Sequence, residues 1–460
     1  LRLTILGGGG FRVPLVHRAL LADTVGGDAV VREVVLHDTD PGRLAAIGAV
    51  LDRQRDAHRA RHGEPPLAVR AETDLAAALD GAGMVFSAIR VGGMAGRVRD
   101  ERVALAAGVL GQETVGAGGI SYGLRTVPVA LRVAEAVAER APEAWVVNFT
   151  NPAGMVTEAM SAVLGDRVIG ICDSPTGLGR RAARALGLDP AAVRVDYAGL
   201  NHLGWVRGLW ADGRDRLPEL LADTAAVESF EEGRLFGADW LRAIGALPNE
   251  YLHYYYAARE AREQAAAAAA AADGTRGEQV VGQQAEFYRD AARAPEAAFD
   301  LWDRTRLARE RSYMADNRAA AGGFERAGED LDGGGYEEIA LAVMRAVARD
   351  TPARLIVDVR NRGALPGLDA DAVVEVACLV DGSGARPLAT GPLDGHQTAL
   401  AQAVKAVERD VIAAVRTGSR THALRAFAGH PLVDSVGTAR ALLDGYLAAF
   451  PELADVLPRP

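Results

Sequence analysis

Among the side chains of types that divalent cations accept, two stand out by their settings: the thiol of Cys172 and the imidazole of His202. They stand too far apart in sequence to form a local metal motif, and each has a plain structural use as well. A cysteine packs as a small hydrophobe, and a core histidine satisfies its own hydrogen bonds. Their settings carry more information. Cys172 follows the strand-like run 167–171 and is followed by Asp173-Ser174-Pro175. His202 sits in Gly199-Leu200-Asn201-His202-Leu203-Gly204-Trp205, flanked by strand-like stretches. Side chains placed just beyond strand ends can point into a cleft.

A second chemistry is written at residues 3–10. Leu3-Thr4-Ile5-Leu6 runs into Gly7-Gly8-Gly9-Gly10, and a helical pattern follows at Leu15, Ala19 and Leu20. Glycines let a backbone approach a pyrophosphate closely, and the next helix start offers free N–H groups and a positive dipole end. The turn departs from a strict G-x-G-x-x-G. Further on, Val34-Val35-Leu36-His37-Asp38 reads as a second strand ending in an acid. An acid there accepts hydrogen bonds from a ribose diol and repels a 2′-phosphate, which favours NAD over NADP.

These residues need a scaffold that brings strand ends together. Strands are expected at 2–6, 33–37, 84–89, 145–148 and 167–171, with helices at 41–62, 127–140 and 152–164. Such alternation specifies a parallel, doubly wound α/β sheet. Arg90-Val91-Gly92-Gly93, Asn148-Phe149-Thr150-Asn151-Pro152 and Cys172-Asp173-Ser174-Pro175 all follow strand ends. Beyond 195 the texture changes. Strands are expected at 193–198 and 204–210, and at 354–360 and 373–380 in a second mixed sheet, with closing helices at 394–416 and 421–447. The alanine run Ala265–Ala272 reads as a surface helix or adjoining loop. The expected division is a Rossmann domain over 1–170 and an α+β substrate domain over 171–460.

The bulk properties narrow the partners. With 460 residues, 49% hydrophobic, the chain can bury a large core. A net charge of -10 argues against a nucleic-acid surface and against binding to anionic membranes. No apolar run approaches the roughly 20 residues of a membrane span, and with a core strand expected from residue 2 no signal peptide is expected. Two cysteines, Cys172 and Cys378, make no disulfide framework, so a cytoplasmic location is expected.

Taken in order, the motifs resemble one family. They are Gly7–Gly10, Arg90-Val91-Gly92-Gly93, Gly111-Gln112-Glu113-Thr114, Asn148-x-x-Asn151-Pro152-Ala153, Cys172-Asp173-x-Pro175 and Gly199-x-Asn201-His202. Pro248-x-x-Tyr251-Leu252-x-Tyr254-Tyr255-Tyr256 and Thr275-Arg276-x-Glu278-x-Val280 complete the set. Jointly they are similar to glycoside hydrolase family 4, the NAD- and divalent-metal-dependent glycosidases, an exception to the two-carboxylate rule of glycoside hydrolysis. The resemblance implies a lactate/malate dehydrogenase-like fold. It also implies redox-assisted elimination: oxidation at C3 of the sugar, loss of the C2 proton, departure of the aglycone, addition of water and return of the hydride. Cys172 and His202 would hold a Mn-like ion, and Tyr251 would be the base at C2. Asp173 would be the acid for the leaving group, Asn151 and Asn201 would contact sugar hydroxyls, and Arg97 and Arg276 would hold a 6-phosphate. Gly7, Gly8, Gly9, Gly10 and Asp38 would hold NAD, although the family's usual Gly-Gly-Gly-Ser is replaced here, with Phe11-Arg12 beside it.

The anomer is written two ways. Cys172-Asp173-Ser174-Pro175 looks like the α-specific branch, whereas Asn148–Glu158 and Pro248–Tyr256 look like the β-specific one. Two long segments outweigh one position, so the expectation is a 6-phospho-β-glucosidase acting on a small phosphorylated disaccharide or glucoside, with a 6-phospho-α-glucosidase as the alternative. A homodimer or homotetramer is expected. A lactate/malate-type dehydrogenase would share the first half, but no motif for its catalytic histidine and substrate arginine is present. A dead NAD-sensing regulator would be expected to lose Cys172, His202 or Tyr251, and all three are here.

Overall fold

Strand β1 (Arg2–Leu6) lies inside six parallel strands and is buried on both faces from Leu3 to Leu6, which explains its apolar run. In chain order the others are β2 (Glu33–His37), β3 (Ala68–Glu72), β4 (Met84–Ser87), β5 (Trp145–Asn148) and β6 (Val168–Gly170). They line up as β3-β2-β1-β4-β5-β6, the doubly wound order in which a ligand crevice opens where the winding reverses, beside β1 and β4. The computed structural model of the protein describes residues 1–27, 29–65, 67–272, 274–313, 315, 318, 323, 325 and 335–458. The expected strands of the first half are all present. β3 was not expected: it is an edge strand, partly exposed along its length, and Ala68-Val69-Arg70-Ala71-Glu72 carries little apolar signal.

The second half adds β7 (Arg194–Leu200), β8 (Leu203–Ala211), β9 (Arg214–Asp215), β10 (Leu247–Pro248), β11 (Ala353–Arg360), β12 (Val373–Asp381) and β13 (Gly384–Pro387). These strands do not form the separate mixed sheet expected from sequence. β11 pairs antiparallel with β6 through Asp358 and Gly170, and the same sheet continues through β12, β7, β8 and β10. One hydrophobic cluster accordingly joins Leu3, Ile5 and Val34 to Leu200, Trp205, Val357 and Val376.

Two helices differ from expectation for identifiable reasons. The helix expected at 127–140 begins much earlier, as Gly116–Arg140. Its first turn, Gly116-Ala117-Gly118-Gly119, is glycine-rich, and the loop 112–114 lies against Gly118 and Gly119. A Cβ at Gly118 would stand 2.0 Å from Gln112 O, and one at Gly119 2.4 Å from Thr114 O. The closing stretch 421–447 is two helices, Arg420–Gly429 and Val436–Ala449, broken near Pro431. Among the described residues no helix is long and apolar enough to cross a membrane.

Candidate active site

A cleft of about 1040 Å³ opens along the carboxyl ends of the parallel strands. Gly7, Gly10, Asp38, Arg97, Asn151, Cys172, Asp173, Asn201, His202, Tyr251 and Arg276 all line it. Gly8 and Gly9 do not. Gly8 packs on β2, where a Cβ would meet His37 N at 2.8 Å, and Gly9 faces Arg43 and Asp38. Gly7 has φ +80°, and a Cβ there would lie 2.6 Å from Ala88 O, so only glycine fits the turn without strain. Asp38 accepts a hydrogen bond from Gly9 N at 3.1 Å and another from Asp40 N at 3.1 Å. The acid that sequence assigns to a ribose thus also shapes the glycine turn. The helix Val13–Thr24 starts directly after it.

His202 is one of the two turn residues between β7 and β8, where Leu200 pairs with Leu203. Its φ of +61° places a histidine in the left-handed region that turns usually give to glycine or asparagine, a strain typical of functional positions. Burial pushes its pKa down to about 3, so the ring is neutral. Its Nδ1 lies 2.8 Å from Thr114 Oγ1, and Thr114 Oγ1 donates to Gln112 Oε1 at 3.2 Å. The contact with Thr114 holds the ring through Nδ1, and Nε2 has no hydrogen-bond partner among the described residues. The motif Gly111–Thr114 therefore acts on the site by orienting this ring.

Cys172 follows β6 and is 5% exposed. Burial, with Glu375 and Asp173 adding repulsion, pushes its thiol pKa up. Asn151 Oδ1 is buried and, among the described residues, has no hydrogen-bond partner. Among the described residues no three His, Cys, Asp or Glu side chains form a metal cage. Cys172, His202 and Asn151 line the same cleft, and thiol, imidazole and amide oxygen are all donor types that a divalent ion accepts. Asn201 is held by Glu375, donating to its Oε1 at 3.3 Å.

Tyr251 stacks on His202 and accepts a hydrogen bond from Tyr313 at 3.1 Å. Burial, then Glu250 and Cys172, raise its pKa well above the ordinary tyrosine value. Asp173 stands at the start of the helix Ser174–Ala185. Three charged groups were not singled out as site residues from sequence. Glu250 is buried in the cleft, accepts from Ser174 at 2.7 Å, and has its Oε2 unpartnered among the described residues. Burial, then Glu232, push its pKa up to about 7. Glu113 is gripped by Arg90 and Arg97; burial alone would raise its pKa, but the two guanidinium groups hold it well below the usual carboxylate range. Arg309 lines the cleft with its NH1 buried and unpartnered among the described residues, and burial, with Arg12 beside it, lowers its pKa to about 9. Position next to Tyr251 was the available signal for Glu250, and the Gly111–Thr114 motif for Glu113; nothing distinguishes Arg309 from the chain's other arginines.

The two expected phosphate arginines differ in setting. Arg276 begins the helix Arg276–Arg293, whose capping box joins Thr275 and Glu278, and it donates to Ser312 Oγ at 2.8 Å and Arg309 O at 3.3 Å. The Thr-Arg-x-Glu motif is thus part helix cap and part cleft cation. Arg97 is paired with Glu101 and Glu113 while facing the cleft. The alanine-rich helix Ala258–Ala270 is not wholly a surface element, since Ala261, Ala265 and Ala268 form cleft wall.

This arrangement has relatives. The model for Family 4 glycosyl hydrolase matches residues 2–188, and that for its C-terminal domain matches residues 197–433. The chain is 31% identical over 459 residues to the probable 6-phospho-beta-glucosidase of Bacillus subtilis (strain 168), covering 98% of this chain and 96% of that one. The 6-phospho-beta glucosidase from Thermotoga maritima, solved with NAD and glucose-6-phosphate, superposes with a TM-score of 0.81 at 26% identity, over 98% of this chain and 99% of that one. A 6-phospho-alpha-glucosidase from gut microorganisms, solved with NAD and Mn2+, gives 0.79 at 25% identity over 98% of both chains. Sequence likeness running through both halves, joined to the same backbone course, settles the kinship: the chain belongs to the family 4 glycosyl hydrolases.

Proposed function

We propose that the chain is an NAD- and divalent-metal-dependent 6-phosphoglucosidase, with the β-glucoside as the leading substrate. The observation that carries this reading is that Cys172, His202 and Asn151, whose Oδ1 is unpartnered among the described residues, line the same cleft as Gly7, Gly10 and Asp38. Similarity to enzymes solved with NAD, Mn2+ and glucose-6-phosphate supports it.

Cys172, His202 and Asn151 would hold the metal, and a divalent ion there supplies Lewis acidity toward sugar oxygens. The turn Gly7–Gly10 with Asp38 would hold NAD, which supplies reversible oxidation of a sugar carbinol. The chain's own groups do the proton work. Tyr251 takes the C2 proton at its phenol oxygen, where the hydrogen bond from Tyr313 stabilises the anion. Asp173 gives a proton to the departing oxygen. Asn201, fixed by Glu375, and Asn151 orient hydroxyls. Arg276 and Arg309 face the 6-phosphate as hydrogen-bond donors and positive charges, and Arg97 adds charge from its seat on Glu113.

Asp173 supports a second reading, the 6-phospho-α-glucosidase, because it places a carboxyl in the cleft beside Cys172 as in the α-like motif. Matched p-nitrophenyl 6-phospho-β- and 6-phospho-α-glucosides, with their unphosphorylated forms, NAD⁺ and Mn²⁺, decide between them. The leading reading expects the phosphorylated β-glucoside to be cleaved fastest. Faster cleavage of the α-anomer would install the second reading, and equal use of sugars with and without phosphate would overturn the phosphate site.

A further inference from the structure

Three backbone carbonyls of the glycine turn and the helix entry after it are taken by aromatic donors from the second half of the chain. Tyr288 OH donates to Gly9 O at 2.7 Å, Trp302 Nε1 to Phe11 O at 2.8 Å and Tyr336 OH to Arg12 O at 2.8 Å. Tyr288 and Trp302 do not line the cleft. Tyr288 is itself held, accepting from Arg43 NH2 at 3.1 Å while that guanidinium lies 4.6 Å over its ring.

Peptide planarity turns these bonds into orientation. In a trans peptide the carbonyl and the next N–H point in opposite directions. Fixing Phe11 C=O on Trp302 therefore fixes the direction of the Arg12 N–H. Fixing Gly9 C=O on Tyr288 fixes the peptide whose N–H, at Gly10, closes the turn on Gly7 O at 2.8 Å. Among the described residues the Phe11 and Arg12 N–H groups have no hydrogen-bond partner, and both residues line the cleft. Free N–H groups at a helix entry bind anions.

We infer that Tyr288 and Trp302 are positioning residues for the dinucleotide: by holding the outer carbonyls they fix the closed glycine turn and, just after it, the direction of the free Phe11 and Arg12 N–H groups that would meet a pyrophosphate. The inference rests on the NAD reading above. It also gives a reason for the placement of two helices. Arg276–Arg293 carries Arg276 in the cleft and Tyr288 on the turn, and Ala298–Arg311 carries Arg309 in the cleft and Trp302 on the turn.

The test is NAD⁺ titration by isothermal calorimetry, without sugar, on the full chain and on Tyr288→Phe, Trp302→Phe and Tyr446→Phe. Tyr446 is the matched control, a buried phenol donating to Asp100 O at 2.9 Å away from the turn. Loss of one neutral hydrogen bond predicts a Kd raised about three- to tenfold in Tyr288→Phe and Trp302→Phe. Tyr446→Phe should bind NAD⁺ like the wild type. At saturating NAD⁺ the kcat and the sugar KM of Tyr288→Phe should return to wild-type values. Should Trp302→Phe not fold, Tyr288→Phe carries the test, because its ring remains. Wild-type NAD⁺ affinity in Tyr288→Phe, or equal weakening in Tyr446→Phe, overturns the inference. Absence of NAD⁺ binding by the wild type overturns the cofactor reading instead.

Discussion

The rings of His202 and Tyr251 lie face to face, with centroids 3.6 Å apart and planes 5° from parallel. The contact fixes the proposed base against a proposed metal ligand. The Tyr251 hydroxyl therefore cannot shift far without disturbing His202. Tyr251→Phe keeps the stack and removes only the proton acceptor. Hydrolysis is expected to fall about 10²–10⁴-fold, the range for losing a general base. Metal affinity, measured by Mn²⁺ titration, should stay near wild type. Unchanged turnover would move the base elsewhere, with Tyr313 the first neighbour to examine.

Cys172→Ala and His202→Ala are each expected to abolish metal-stimulated turnover while the protein still folds and binds NAD⁺. Thr114→Val tests the orientation of His202 separately. It removes the hydroxyl that contacts His202 Nδ1 and should weaken Mn²⁺ binding about 10–100-fold, the usual effect of losing a group that orients a ligand. The readout is metal affinity alongside thermal stability. Equal metal affinity in Thr114→Val would show that the ring is held well enough by the stack on Tyr251.

Much of this site was legible from residue types. Gly7–Gly10, Asp38, Cys172, His202 and Tyr251 all reach one cleft, or, for Gly8 and Gly9, the turn beside it. The start of the helix Gly116–Arg140 was not legible, because glycines chosen for backbone contact read as loop. β3 was hidden by its exposure, and the continuation of one sheet through Gly170 and Asp358 depends on a pairing distant in sequence. Arg309 and Glu250 stand out by burial and by atoms unpartnered among the described residues, quantities that appear only once the chain is folded.

Glu250 makes the stability of the protein depend on pH in a definite direction. Its folded pKa of about 7 lies above the ordinary 4.5, so the native state binds more protons than the unfolded state between these values. The contribution is favourable at low pH and is lost as pH rises through about 7. Burial dominates the shift, Glu232 adds to it, and Arg181 and Ser174 oppose it. Glu250→Gln keeps an acceptor for Ser174 and cannot ionise. Its urea midpoint should decline less than that of wild type between about pH 5 and pH 8. Parallel curves for the two proteins would show that Glu250 titrates normally.

Arg309→Ala and Arg276→Ala should each lower kcat/KM for 6-phosphoglucosides about ten- to hundredfold, because a charge-assisted hydrogen bond contributes roughly 1.5–3 kcal/mol. NAD⁺ affinity is the control and should change little, whereas the affinity for glucose 6-phosphate should fall with kcat/KM. Loss of NAD⁺ binding with intact glucose 6-phosphate binding would reassign these cations to the dinucleotide.

Under the proposed function the glycosidic bond is broken by elimination, with Tyr251 taking the C2 proton, and the product formed in D₂O reads this directly. The wild-type protein, supplied with NAD⁺, Mn²⁺ and the 6-phosphoglucoside it prefers, should release glucose 6-phosphate carrying deuterium at C2, without net accumulation of NADH. That result requires the C2–H bond to have been broken and remade at the protonating group. Product carrying no deuterium at C2, formed at the full rate, would contradict the account.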